Sequence, residues 1–114
     1  MALTIASRGV DGVTVLDLSG RITLGEGSVQ LREAVRDLIS KGSKTMLLNM
    51  GDVNYIDSSG LGELVSAYTT AKNQGAQVKL LNLTKKVKDV LQLTKLYTVF
   101  DVYEDEASAI SSFK

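Results

Sequence analysis

Six consecutive residues, Asp57-Ser58-Ser59-Gly60-Leu61-Gly62, hold the densest set of polar side chains and bare backbone in the chain. Two hydroxyls stand beside a carboxylate, and two glycines follow. A serine in that setting can be an activated nucleophile, a phosphoryl acceptor or the cap of a helix. Composition closes the first option in its usual form. The chain has no histidine and no cysteine, which removes the commonest general base and metal ligand as well as all thiolate and disulfide chemistry. The motif is not Gly-x-Ser-x-Gly, and no Ser-x-x-Lys occurs near the turn. Gly60-Leu61-Gly62 lacks the third glycine of a dinucleotide fingerprint, and no Gly-Lys-Ser/Thr is present for a P-loop.

The turn falls between an apolar run that reads as a strand and an amphipathic run that reads as a helix. Ser58 or Ser59 can cap that helix, whose first turn offers unpaired N–H groups. Glycine inside a helix costs roughly 1 kcal/mol against alanine, so Gly60 and Gly62 suggest backbone left uncovered for another molecule to approach. A plain capped helix start stands beside that reading, and the residues alone leave both open.

The elements around the turn follow from periodicity. Leu3–Ser7 and Val13–Ser19 are short β-type runs separated by a break containing Asp11-Gly12, a hairpin signal. Gly20 is expected to stop the second strand. Arg21-Ile22-Thr23-Leu24-Gly25-Glu26-Gly27 is a glycine-punctuated loop. Ser28 is the expected N-cap of a helix from Val29 to Lys41, with Leu31, Ala34, Val35, Leu38 and Ile39 on one face and Gly42 at its C′ position. Thr45–Met50 reads as a buried strand, and Asp52–Ile56 as the connection into the turn. Leu61, Leu64, Val65 and Tyr68 mark the next helical face, which Gly75 ends. Gln77–Asn82 reads as a strand. Thr84 caps a helix carrying Val87, Val90 and Leu91. Tyr97–Tyr103 reads as a last strand. Glu104-Asp105-Glu106 load acid onto the start of a terminal helix, with Ala107, Ile110 and Phe113 on its buried side. Strands alternating with helices imply an α/β fold, mostly parallel, with an antiparallel N-terminal edge strand.

At 114 residues with 44% hydrophobic content, a one-domain chain with a real core is expected. Thirteen basic residues balance thirteen acidic ones, which gives no electrostatic argument for nucleic acid or an anionic membrane. No apolar stretch approaches the ~20 residues of a membrane span. Met1-Ala2-Leu3-Thr4-Ile5 lacks the charged start and long apolar core of a signal peptide, so a cytoplasmic protein is the expectation. Lys85, Lys86 and Lys88 are interrupted by Asp89 and read as a solvated helix face. The acidic run has no other ligands to make it a metal site. Met46, Met50 and the four tyrosines read as core or rim.

Tyr55-Ile56-Asp57-Ser58-Ser59-Gly60-Leu61-Gly62 after an apolar strand resembles the signature of STAS domains, and more narrowly of bacterial anti-sigma-factor antagonists. The likeness runs through the opening hairpin, Gly20 with Ile22, Val78–Leu81 and Phe100-Asp101-Val102. It implies a STAS fold over residues 1–114, with a mixed sheet of four or five strands and about four helices. It also implies a binding protein that is not an enzyme and carries no cofactor. In that family the serine after the motif aspartate, here Ser58, is phosphorylated by the partner, an anti-sigma factor that is itself a serine kinase. The unmodified form binds that partner and frees the sigma factor, the phosphorylated form lets go, and a PP2C-type serine phosphatase restores it. The implied contact residues are Thr23, Gly25, Asp57, Ser58, Ser59, Gly60, Leu61, Gly62 and Glu63, with Asp57 positioning Ser58. A phosphoryl group there adds nearly two negative charges, a cost the helix N-terminus is expected to soften. Many members have an acid in the loop after the second strand, where this chain has Thr23, a departure that bears on partner choice; a flexible helix start is the bland alternative for that loop. Two rivals keep the same turn: a STAS scaffold in a stressosome or beside a transporter with Ser58 unmodified, and a small-ligand binder.

Overall fold

The computed structural model describes residues 3–114, so Met1 and Ala2 of the stretch compared with a signal peptide lie outside the described residues. Its chain order is β1 (Leu3–Val10), β2 (Val13–Ile22), α1 (Glu26–Ser40), β3 (Thr45–Ile56), α2 (Ser58–Asn73), β4 (Gln77–Leu81), α3 (Lys85–Leu93), a 3-10 turn (Leu96–Thr98), β5 (Val102–Tyr103) and α4 (Glu106–Ser111). The strands form one sheet in the order β1-β2-β3-β4-β5. β1 runs antiparallel to β2 at one edge, and the remaining pairs are parallel. The expected mixed sheet with an antiparallel N-terminal edge and four helices is therefore what forms. The hairpin turn is two residues long, with Asp11 at φ 50 and Gly12 at φ 83, the paired left-handed geometry that matches the twist of the flanking strands.

Both faces of the sheet are covered, which explains why the strand sequences read as nearly continuous apolar runs. Leu16, Leu18, Met46, Leu48, Met50, Val78 and Leu80 pack with Leu31 and Val35 of α1, Leu61 and Leu64 of α2, and Val87 and Leu91 of α3. The alternate residues Val13, Val15, Leu47 and Leu81 face the other way and meet Ala109 and Ile110 of α4. Two cations fasten α4 over this smaller core. Arg8 pairs with Asp17 and Glu106. Lys79, only 7% exposed, donates to the Ser112 carbonyl at 3.0 Å and lies 4.6 Å from the Phe113 ring centroid.

Several boundaries differ from the sequence expectation, each for a physical reason. Gly20 does not stop β2. It adopts φ 111 at a register irregularity, and the strand continues to Ile22 beside Ile56 of β3; a bulge absorbs the glycine. Asp52–Ile56 is strand rather than connection, with Val53 and Ile56 inward and Asp52, Asn54 and Tyr55 outward. Tyr97–Phe100 is not strand. It makes a 3-10 turn, and Phe100 packs edge-on to Tyr68 with centroids 5.5 Å apart, leaving only two residues of β5 to pair with Leu80 and Leu81. Ala107 is exposed and Ala109 takes the buried position. The C-terminus of α1 forms as expected: Gly42 at φ 90, with Gly42 N–H to Ile39 and Ser43 N–H to Leu38, closes a Schellman motif. Thr84 caps α3 through the Val87 N–H, and Met46 and Met50 are fully buried.

Candidate functional site

The ends of β2 and β3 stop side by side, so the loops leaving them meet at one rim of the sheet. Ile22 closes β2 and its carbonyl accepts the Asp57 N–H at 3.2 Å. Asp57, not Ser58 or Ser59, is the N-cap of α2. Its Oδ1 accepts the Gly60 N–H at 2.8 Å, and its Oδ2 accepts the Leu24 N–H at 2.9 Å from the loop between β2 and α1. Its own carbonyl takes the Leu61 N–H at 2.9 Å. Aspartate outcompetes the serines because one carboxylate reaches two backbones at once and its charge suits the helix N-terminus. These bonds, that of Gly60 foremost and that of Leu24 next, hold the Asp57 carboxyl below the usual carboxylate range. A carboxylate so stabilised is a poor proton acceptor at neutral pH.

That capping also changes what the helix start can do for a phosphoryl group. The N–H groups of Gly60 and Leu61 are already satisfied by Asp57. The Asp57 carboxylate therefore places a negative charge at the helix start beside Ser58 and takes one of its first-turn donors, the Gly60 N–H.

Ser58 is exposed as the first residue of α2, and Ser59 is half-buried. The two glycines have opposite roles. Gly60 is buried, and a Cβ there would run into the Ile22 carbonyl oxygen and lie 2.8 Å from Ile22 Cγ2. Its missing side chain therefore lets α2 seat on β2 and does not clear space for a partner. Leu61, 7% exposed, likewise faces the core. Neither residue offers the partner-facing surface expected of it. Gly62 is exposed, and a Cβ there would meet nothing within 4 Å.

Ser28 is not the N-cap of α1. Gly25, at φ 95, occupies that place, and Ser28 instead donates its hydroxyl to the Gly25 carbonyl at 3.2 Å while its N–H bonds the Thr23 carbonyl at 3.0 Å. Buried Gly27 packs against β2, where a Cβ would lie 2.7 Å from the Arg21 carbonyl oxygen. The loop through Thr23 and Gly25 is thus braced rather than flexible, and it lies against the Asp57 turn. Beyond it, an open groove of about 530 Å³ runs between α1 and α2, lined in part by Leu24, Val29, Arg32, Arg36, Gly62 and Glu63. Arg32 Nε stands 3.7 Å from Glu63 Oε2. On the other side of the turn Arg21 stacks on the half-exposed Tyr55 ring at 4.9 Å.

Sequence reasoning missed Leu24, Arg32 and Arg36 as neighbours of the turn. The available signal was Leu24 itself, an apolar residue inside a glycine-rich loop and outside any helical or strand periodicity. The other singled-out groups lie elsewhere. Lys85 pairs with Asp89 and Lys88 with Glu104. Asp105 caps α4 through the Ser108 N–H, and Glu106 pairs with Arg8. Among the described residues no three histidine, cysteine or acidic side chains gather as a metal site, and no helix is long and apolar enough to cross a membrane.

A family model for the STAS domain matches residues 4–109. The anti-sigma-B factor antagonist of Bacillus subtilis (strain 168) is 31% identical over 87 residues, which is 76% of this chain and 78% of that protein. A crystal structure described as an anti-sigma factor antagonist from Thermotoga maritima superposes with a TM-score of 0.87 at 27% identity, covering 95% of this chain and 92% of the other. The Bacillus cell fate determinant SpoIIAA in its phosphorylated form has the same fold, with a TM-score of 0.75 at 21% identity over 97% and 100% of the two chains.

Proposed function

This chain belongs to the STAS domain family of anti-sigma-factor antagonists, and we propose that it works as a phosphorylation-switched binding protein whose acceptor is Ser58. The unmodified protein binds an anti-sigma factor that is also a serine kinase, and so releases the sigma factor. That kinase supplies ATP and the catalytic base and transfers phosphate to Ser58. A PP2C-type serine phosphatase reverses the step. The observation that carries this reading is the exposed Ser58 at the first position of α2, beside a capping aspartate whose two carboxylate oxygens are taken by the Gly60 and Leu24 N–H groups. The serine is therefore a substrate for an outside base rather than a nucleophile of this chain. The phosphorylated form known for SpoIIAA supports a switch of this kind.

The physics of release follows from the carboxylate already standing at the helix start. A phosphoserine brings close to two negative charges beside the Asp57 carboxylate, which already holds the Gly60 and Leu24 N–H groups. A partner surface packed against Ser58 then meets bulk and like charge together. A loss of about 3–4 kcal/mol weakens binding by hundreds-fold. The fold itself is little changed, because Ser58 is exposed and supports no core contact; amide shifts on phosphorylation stay near the turn, and shifts spreading across the sheet would contradict this.

The test is to incubate the protein with ATP and each anti-sigma kinase of the same genome, then map the product by mass spectrometry. Phosphate on Ser58, lost in Ser58→Ala, is the expected result. Ser58→Ala holds the partner constitutively and Ser58→Asp binds poorly. Equal binding by both variants would refute the switch, and binding without any phosphate on Ser58 would point to a scaffold role.

A further inference from the structure

Leu24 is 78% exposed, yet it is mounted on a rigid loop. Its N–H bonds Asp57 Oδ2 at 2.9 Å. The residue before it accepts the Ser28 N–H at 3.0 Å, and the residue after it accepts the Val29 N–H at 3.1 Å. A large apolar side chain held out into solvent with its backbone fixed on both sides loses little further freedom when a partner covers it. Such residues make good anchors.

The surroundings specify what covers it. The groove beside Leu24 exposes Val29 (37%) and holds Arg32 and Arg36 on the α1 side. Across from them stands one carboxylate, Glu63, at 3.7 Å from Arg32, and Arg36 has no ion pair among the described residues. The patch is thus apolar at the loop and positive along the helix. It is complementary to a surface that is apolar at one spot and acidic next to it. The groove is also continuous with the Ser58 turn through Ser59 and Gly62.

We propose that Leu24 is the docking knob for the partner kinase, seated in an apolar socket of that protein whose acidic rim faces Arg32 and Arg36. Asp57 is its positioning residue: the same carboxylate that caps α2 beside Ser58 also holds the Leu24 backbone. The docking knob therefore hangs on the side chain next to the phosphoryl acceptor, Leu24 and Asp57 being 33 residues apart in sequence. This rests on the kinase-partner reading above and adds which residue selects the partner.

The experiment uses an anti-sigma kinase of the same genome that phosphorylates the parent protein, and reads KM and kcat with this protein as substrate. Leu24→Ala and Leu24→Asp are expected to raise KM by about ten-fold or more with kcat unchanged. Arg36→Glu is expected to raise KM as well. Leu93→Asp is the control: Leu93 is 84% exposed at the end of α3 and lines no part of the groove beside Leu24, and the substitution should leave both constants unchanged. Asp57→Asn keeps one acceptor oxygen where the carboxylate has two; with that oxygen on the Gly60 N–H as the helix cap, its NH2 faces the Leu24 N–H, so the variant should raise KM, and adding it to Leu24→Ala should raise KM no further. Parent-like KM for both Leu24 variants, while Ser58 is still phosphorylated, overturns the docking role and leaves the functional reading standing. An additive effect of Asp57→Asn on Leu24→Ala overturns the positioning role. If no such kinase phosphorylates the parent, the functional reading fails and the docking role with it.

Discussion

Two glycines two residues apart in one helix should respond to alanine with opposite signs. At Gly60 an added methyl meets the Ile22 carbonyl and sits 2.8 Å from Ile22 Cγ2. Ile22 is fully buried at the end of β2, and its carbonyl holds the Asp57 N–H. It has no solvent side to move toward, so the start of α2 must lift. Overpacking of this kind costs about 1–3 kcal/mol, more than the roughly 1 kcal/mol of helix propensity that alanine recovers. At Gly62 nothing lies within 4 Å, and alanine should stabilise by about 0.4–1 kcal/mol through the unfolded chain. For a domain of this size each 1 kcal/mol moves Tm by roughly 3–6 °C. Thermal melts and urea titrations of Gly60→Ala, Gly62→Ala and the parent give the comparison. The expected order is Gly62→Ala above the parent and Gly60→Ala below it. A Gly60→Ala protein as stable as Gly62→Ala would refute the close seating of α2 on β2.

Leu64→Ala removes a side chain that is 1% exposed beneath α2 and should cost about 2–5 kcal/mol by denaturant titration. The Asp57 carboxyl is held below its ordinary range by the Gly60 and Leu24 amides. Its folded value is depressed, so its stabilisation is present above the unfolded value of about 3.9 and is lost as pH falls through the folded value. The Leu24 and Gly60 amide resonances should therefore titrate together with a midpoint below about 3.9, and the Leu24 response should disappear in Asp57→Asn. Arg8→Ala breaks ion pairs to Asp17 and Glu106 that are more than a third exposed. It should cost less than about 1 kcal/mol, with the difference shrinking in high salt.

The sheet and its helices were legible because two signals survive in a single sequence: apolar periodicity and glycine at helix ends. Gly42, Gly75 and the cap at Thr84 all sit where pattern alone put them. What failed was everything decided by contact across sequence. Gly20 looks like a strand stop until β3 runs alongside and turns it into a bulge. Asp52–Ile56 looks like a connection because its outward residues are polar; only its pairing with the end of β2 makes it strand. Ser58 and Ser59 are good caps by type, but Asp57 reaches a loop 33 residues away that no local rule can see. Gly60 and Gly62 read alike as sequence and differ only in what lies behind them. The residues alone leave a capped helix start open; the proposed acceptor role of Ser58 comes from the family likeness and is supported by its exposure at the start of α2.

Phosphate on Ser58 is proposed to turn partner binding off. The direct measurement is a calorimetric titration of one anti-sigma kinase of the same genome with the unmodified protein and with protein phosphorylated at Ser58. The phosphorylated form should bind at least about a hundred-fold more weakly, with its thermal melt unchanged. Equal dissociation constants for the two forms would contradict it.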